Sequence, residues 1–388
     1  MLRNVFNKRM LKNIDWLLLA IVLVIVVFGA IAITSATSTL NVSSDSQIGD
    51  YLSQISYYYG SLQLMFFGIG IVVIAVILIM DYNNLRDFSN ILYWILVASL
   101  VLVLFFGVTR RGVKGWFSIG GFDFQPAEVG KLIMIIVLAK EFATVTEGSN
   151  EGIKRFRDIL PVLWKFAIPF ALIMIQPDWG TAMVYLFILG GMMLMAKVSL
   201  KILGILGLGI IGMLPAAWFI MAEYQKERIR VFLDPSLDTQ GNGYQVARAK
   251  EVIQAGGFNG KGLFSPNLLT QKKNYLPEEH TDFIFSATTE AVGYIGAIII
   301  ILLYMLLIFR LVQLSMRAKD DFGTYIILGI SFMLLFHIFE NIGMNIGLMP
   351  VTGIPLPFFS YGGSNMLTNM IAIGLVLDVN MRRMRRTI

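Results

Sequence analysis

The sequence predicts an all-α polytopic membrane protein of about ten transmembrane helices, forming a single domain over residues 1–388. Three observations predict it. First, of 388 residues, 56% are hydrophobic and only 14% charged, where soluble domains carry roughly a quarter charged residues; the mean hydropathy is +0.72. Second, apolar runs of membrane-crossing length recur along the chain. Third, Lys and Arg concentrate in alternate connecting segments, the pattern that fixes orientation. Much of the net charge of +6 sits beside these runs, so it reads as an orientation signal and no nucleic acid partner is expected. With no cysteine, a disulfide framework is excluded.

The first run, Trp16 to about Ile33, follows Arg3, Lys8, Arg9 and Lys12. It is longer than the roughly 7–15-residue core of a secretory signal, so it is expected to remain as an uncleaved anchor. Spans are expected at 16–36, 62–81, 90–108, 127–143, 159–176, 180–197, 202–222, 283–310, 322–347 and 361–379. With the N-terminus inside, the inner segments hold Arg86, Lys154, Arg155, Arg157, Lys197, Lys201, Arg310, Arg317 and Lys319, then Arg382, Arg383, Arg385 and Arg386 at the end. The outer segment 37–61 has no Lys or Arg. Both termini are therefore expected in the cytoplasm, with one long extracellular loop, 223–282, between spans seven and eight. The chain shows no internal repeat, which argues against an alternating-access transporter.

One short outer segment, 109–125, departs from this pattern by holding Arg110, Arg111 and Lys114. Outward cations beside the membrane suit an anionic lipid headgroup or a pyrophosphate. On charge alone, a local exception without function reads equally well.

The polar stretch Tyr275-Leu276-Pro277-Glu278-Glu279-His280-Thr281-Asp282 runs straight into the eighth span. A carboxylate held where water meets lipid is costly unless it is used. Thr281 or Asp282 is expected to cap that span. A carboxylate poised between the helix dipole and partial desolvation also suits a general base. Further back, Gly115-Trp116-Phe117-Ser118 leads to Phe124-Gln125-Pro126-Ala127-Glu128 and Lys131. Pro126 fits the first position of a helix. Glu128 and Lys131, three apart, are within pairing reach on one face. Trp116 reads as an interfacial anchor or as a sugar-stacking ring. At the turn Gln176-Pro177-Asp178-Trp179-Gly180-Thr181, spacing favours Asp178 as a cap, with ligation of a divalent cation as the alternative.

His337, Glu340, Asn341 and Asn345 share a broad face of the ninth span, and Glu290 lies inside the eighth. Interhelical hydrogen bonds or a lined cavity both account for such a stripe. Pro350 to Ser364, rich in proline and glycine, is expected as irregular backbone near the outer surface, tolerated only where protein or water covers it. A short helix near 244–255 is expected to lie on the membrane or on the spans.

At these residues the sequence resembles the SEDS family (shape, elongation, division and sporulation), whose best-known members are RodA and FtsW. The resemblance covers nearly the whole chain from Asp15. It rests on Trp116 to Lys131, Gln176-Pro177-Asp178, Phe232-Leu233-Asp234-Pro235, Gly243-Tyr244-Gln245, Leu276 to Phe285, and Gly353-Ile354-Pro355-Leu356-Pro357 through Ser360-Tyr361-Gly362-Gly363-Ser364. It implies a ten-span glycosyltransferase that polymerises lipid II on the outer face of the cytoplasmic membrane, releasing undecaprenyl pyrophosphate. Asp282 then corresponds to the essential loop carboxylate. Trp116, Glu128, Lys131, Gln176, Asp178, Arg228, His280, Thr281, Ser360 and Tyr361 fall in or beside the motifs expected to bind substrate. Arg110, Arg111, Lys114 or basic residues of the long loop would meet pyrophosphate, with Mg2+ or Mn2+ at Asp282 or Asp178 and no covalent cofactor. The implied partners are undecaprenyl-linked nascent glycan, a class B penicillin-binding protein and other membrane proteins of the elongation complex. Gln271 with Tyr275 to Asp282 looks more like RodA than FtsW. Two departures stand out: Asn365 follows Ser364 where the family commonly has a second serine, and Ile253 to Phe264 is poorer in glycine and serine. A lipid II flippase and a non-catalytic scaffold are the alternative functions.

Overall fold

The computed structural model describes residues 13–40, 48–110, 112–119, 122–147, 152–221, 223–234, 237–238, 241–272 and 275–383. The N-terminal cations before Asn13, together with Arg111, Arg385 and Arg386, lie outside the described residues. Helices α1 (Trp16–Thr37), α2 (Ile48–Ser53), α3 (Tyr58–Ile79) and α4 (Tyr82–Phe106) come first. Strands β1 (Val108–Arg110), β2 (Val113–Ile119) and β3 (Phe122–Phe124) follow. Next are α5 (Pro126–Thr146), α6 (Phe156–Ile175), α7 (Trp179–Met195) and α8 (Leu200–Ile220). The long loop contains α9 (Glu223–Leu233) and α10 (Asn242–Gly256), and the chain closes with α11 (Ile284–Ser315), α12 (Asp321–Ile346) and α13 (Gly363–Met381).

Each of the ten expected runs overlaps one helix, with its ends displaced by up to eight residues. The largest displacement is at α4, which starts at Tyr82 rather than 90. Its first turns, with Asn83, Asn84, Arg86 and Asp87, are too polar to register as membrane. Asp81 starts it by accepting from Asn83 N. Among the described residues, six helices are long and apolar enough to cross a membrane: α1, α3, α4, α6, α11 and α12. α7 and part of α8 are shorter apolar helices. α5 and α13 hold charged and amide side chains, yet most of their residues are buried inside the protein. A polar group surrounded by other helices finds partners that lipid cannot offer.

The expectation of an all-helical chain needs one amendment. Residues 109–125, expected as a loop, contain an antiparallel sheet in the order β1-β2-β3. Val108 stands opposite Trp116, and Phe117 opposite Phe124. A short aromatic-rich meander satisfies its backbone locally at the membrane boundary, where an open segment would leave it unpaired.

α12 is the centre of the molecule, packed against α5, α7 and α11. α10 packs against α11 through Val246, Ala249 and Val252. Ala249 and Val252 join Leu276, Phe283, Met344 and Val351 in a small core that locks the loop onto the spans. A second tie runs through Glu290, fully buried in α11. Its carboxylate accepts from Lys261 Nζ at 2.6 Å, Leu269 N at 2.6 Å, and both Thr270 N and Oγ1 at 3.2 Å. The carboxylate thus holds the loop, a contact of span with loop rather than span with span. Just beyond it, α11 is broken at Gly293, whose φ is 71°. Tyr294 N there donates to Gly257 O at 2.9 Å, and Gly262 N to Ala291 O at 2.8 Å. The turn at 257–262 therefore supplies the backbone partners that the broken helix lacks.

Candidate active site

The strip leading into α11 is held from two sides. From α12, Asn341 Nδ2 and Asn345 Nδ2 each donate to the carbonyl of Asp282 at 3.0 Å. Asn341 also donates to Ile354 O at 2.9 Å, so one side chain joins the strip to the irregular segment after α12. From that segment, Ser360 Oγ donates to Thr281 O at 2.7 Å and accepts from Leu356 N at 2.8 Å. Tyr361 N donates to His280 O at 3.0 Å. The His280 ring lies 4.5 Å from Tyr59 and 5.8 Å from Tyr361. Gln63 on α3 braces the far side, donating to Ser360 O at 2.9 Å. The irregular backbone of 350–362 is thus covered by protein, as its position demands.

These elements enclose a cavity of about 800 Å³. Asp282 and Thr281 line it with Tyr361 and Thr352. Opposite them stand Trp116 on β2, Arg110 on β1, Glu128 on α5 and Asp178 at the start of α7. Arg228 on α9 completes the wall. Eight of the fourteen expected site residues therefore meet around one space, although they come from six separate stretches of sequence. Trp116 lines this space. Arg110 is partly neutralised by Asp123 at 3.2 Å.

The other expected residues stand behind the wall or away from it. Lys131 is almost fully buried. Its ammonium meets Glu128 Oε1 at 2.8 Å and His337 Nε2 at 3.1 Å. An ammonium only donates, so His337 Nε2 accepts and Nδ1 carries the ring hydrogen. Gln176 is buried and donates to Leu100 O at 3.2 Å, tying the α6–α7 turn to α4. Ser360 and His280 position the strip rather than line the cavity. Lys114 pairs across the sheet with Thr109, away from the cavity wall. Arg111 lies outside the described residues.

Two expectations at helix starts divide. Asp178 does cap α7, Oδ1 accepting from Thr181 N at 3.0 Å. Its other oxygen accepts from Gln125 Nε2 at 2.6 Å. Burial pushes this carboxyl above the usual carboxylate range, against the pull of the Thr181 amide and hydroxyl. α11, by contrast, is not capped by Thr281 or Asp282. Its N-cap is Phe283, without a side-chain cap bond. The amide that such a cap would take, Ser286 N, donates instead to Asn345 Oδ1 at 3.0 Å.

Each residue of the stripe on α12 makes at least one hydrogen bond: His337 with Lys131, Glu340 Oε1 from Thr352 Oγ1 at 3.0 Å, and both asparagines to Asp282 O, while His337 Nδ1 and Glu340 Oε2 are buried without a partner among the described residues. Sequence reasoning placed these residues on an inward face without seeing that two of them hold Asp282. It also passed over Gln125 and Gln245, which line the cavity and stand inside motifs already marked, beside Pro126 and after Tyr244.

No group of three or more His, Cys, Asp or Glu among the described residues is arranged to hold a metal ion. Mg2+, however, commonly binds one or two carboxylates together with phosphate oxygens. Asp282 and Asp178 both line the cavity, and their carboxylates are the donor type that a cation arriving with a phosphate-bearing ligand would take.

Comparison with known proteins agrees with this architecture. The FtsW/RodA/SpoVE model, described as cell cycle protein, matches residues 15–385. Stage V sporulation protein E of Bacillus subtilis strain 168 is 35% identical over 373 residues, covering 94% of this chain and 96% of that protein. Peptidoglycan glycosyltransferase MrdB of Escherichia coli K12 is 31% identical, covering 96% and 94%. Among solved structures, a chain from a peptidoglycan synthase complex that coordinates polymerization and crosslinking aligns with a TM-score of 0.74 at 28% identity, covering 96% of this chain and 99% of that one. The rod shape determining protein RodA of Thermus thermophilus aligns with a TM-score of 0.69 at 25% identity, covering 95% and 97%. The chain belongs to the FtsW/RodA/SpoVE family of multi-pass membrane proteins.

Proposed function

We propose that this chain is a peptidoglycan glycosyltransferase that polymerises lipid II at the outer face of the cytoplasmic membrane, for cell elongation and shape. The observation that carries the reading is a single cavity lined by Asp282, Arg110 and Arg228 together. Relatives that bear the name peptidoglycan glycosyltransferase over almost the full length of the chain support it.

In the reaction, Asp282 takes the proton of an acceptor sugar hydroxyl. The freed oxygen forms a bond to the anomeric carbon of a lipid-linked donor, on the face opposite the pyrophosphate. The bond from that carbon to the pyrophosphate oxygen breaks, and undecaprenyl pyrophosphate leaves with the electron pair. The configuration at the sugar inverts. Arg110 and Arg228 stabilise the leaving charge through charge-assisted hydrogen bonds. The irregular 350–362 segment and the β-sheet hold the walls, and the asparagines of α12 fix the backbone of the base. A divalent cation, bound by Asp282 or Asp178 with the pyrophosphate, would offset the same developing charge.

The membrane topology that serves this reading has both termini inside and 223–282 outside. A class B penicillin-binding protein that crosslinks the new glycan is the partner such a polymerase requires, beside other elongation-complex membrane proteins. The full-length likeness to a chain of a peptidoglycan synthase complex supports that partner. The purified chain, incubated with fluorescent lipid II, is expected to yield a ladder of glycan strands. Folded protein that yields no polymer, yet moves lipid II across vesicles, would replace this reading with the flippase.

A further inference from the structure

An α-helix leaves its first amides without partners, and a side chain just before it usually supplies an acceptor. α11 starts after Phe283, whose side chain has no oxygen to offer. The nearest acidic side chain in sequence is Asp282. The third amide of the helix, Ser286 N, is nevertheless taken by Asn345 Oδ1 at 3.0 Å, and the Ser286 hydroxyl donates to the same oxygen at 2.6 Å. Asn345 belongs to α12 and is fully buried. Its nitrogen reaches back to Asp282 O at 3.0 Å. One amide group therefore holds the helix start with its oxygen and the residue before the N-cap with its nitrogen.

We propose that Asn345 is a positioning residue that caps α11 from the neighbouring helix and so keeps the Asp282 carboxylate committed to the cavity. The proposal rests on reading Asp282 as the base. Without Asn345, Ser286 N becomes a buried donor lacking its acceptor, which is unfavourable. The Asp282 carboxylate stands next to the N-cap and is drawn towards those amides by their partial positive charge. Turning there satisfies the helix and removes the base from the acceptor hydroxyl. Asn341 still holds Asp282 O, so the backbone strip keeps its place while the side chain changes direction. The remote cap has a second effect. It leaves position 283 to a phenylalanine, buried in the small core with Leu276 and Met344, where a Ser or Asp cap would forfeit that packing.

Thermal unfolding of the purified full chain tests this with four proteins: the native form, Asp282→Ala, Asn345→Ala and the double variant. The drop in midpoint caused by Asp282→Ala should be larger in the Asn345→Ala background, because there the carboxylate has become the cap. Additive drops would overturn the remote cap. In the polymerisation assay, Asn345→Ala should lower kcat by about 10-fold or more, approaching the loss of a general base, and leave KM for lipid II near its native value. A rise in KM at native kcat would overturn the positioning role. If Asn345→Ala does not fold, Asn345→Ser, which cannot span both contacts, carries the same comparisons. Coupled midpoints together with a fully active Asp282→Asn would keep the cap and overturn the base it is said to serve.

Discussion

Glu128 and Lys131 lie one helical turn apart with 2.8 Å between their charged atoms, and both sit where an isolated charge is expensive. Lys131 also reaches His337, 206 positions along the chain. Glu128→Gln leaves a buried ammonium facing two neutral groups and should destabilise the protein by on the order of 3 kcal/mol in thermal or denaturant unfolding. The exchange Glu128→Lys with Lys131→Glu should recover only part of that loss, since a carboxylate at 131 would confront the lone pair of His337. Full recovery of stability would show that mutual pairing is the whole role. An inactive exchange in well-folded protein would place one member in direct contact with substrate. Spacing made the pair legible in the sequence, because residues three apart share a helical face. Its contact with His337 was not legible, because periodicity assigns a residue to a face without saying which helix that face meets. The same limit hid Asn341 and Asn345 as the partners of Asp282.

α11 shows how one helix carries both anchorage and chemistry. Glu290 binds the loop through four donors, and Gly293 opens the helix so that the 257–262 turn can join it. A Cβ at Gly293 would run into the Phe258 carbonyl oxygen, at a φ that side chains rarely adopt. Gly293→Ala should therefore cost more than about 3 kcal/mol, as burying an impossible contact does. Glu290→Ala should strand Lys261 and the amides of Leu269 and Thr270. Both variants should make the 257–272 segment more sensitive to limited proteolysis. Gly257→Ala is the control without a clash: nothing lies within 4 Å of its Cβ, but its φ of 56° with ψ of −152° is a backbone conformation essentially reserved for glycine, so strain alone, about 1–3 kcal/mol, is expected. Equal protease sensitivity in all three would contradict the interlock. At this scale the sequence announced helices by their apolar runs and misjudged what lies between them. The sheet at 108–124 was read as a loop because its strands are three to seven residues long, too short for an alternating pattern. The start of α11 was misread because its cap comes from another helix, which local sequence cannot display.

Across the whole molecule, the expected topology follows from where Lys and Arg stand, and it is open to direct labelling because the chain has no cysteine. Leu237→Cys, in the loop and exposed, should react with a membrane-impermeant maleimide on intact cells. Lys154→Cys should react only after permeabilisation. The reverse pattern would invert the protein and detach the cavity from an extracytoplasmic substrate. Ten helices were legible as ten apolar runs, including α5 and α13, whose polar residues are tolerated because neighbouring helices surround them. The cavity was legible only as scattered motifs, since its walls come from α3, the sheet, α5, α7, the long loop and the segment after α12. Everything rests on the claim that the Asp282 carboxylate is the base within that cavity. The most direct test is the yield of glycan polymer from fluorescent lipid II by purified Asp282→Asn. This change keeps the carbonyl that Asn341 and Asn345 hold, so the variant should unfold at the native midpoint. Its polymerisation rate should fall by about 10²–10⁴-fold. Near-native polymer from the same folded variant would contradict the account.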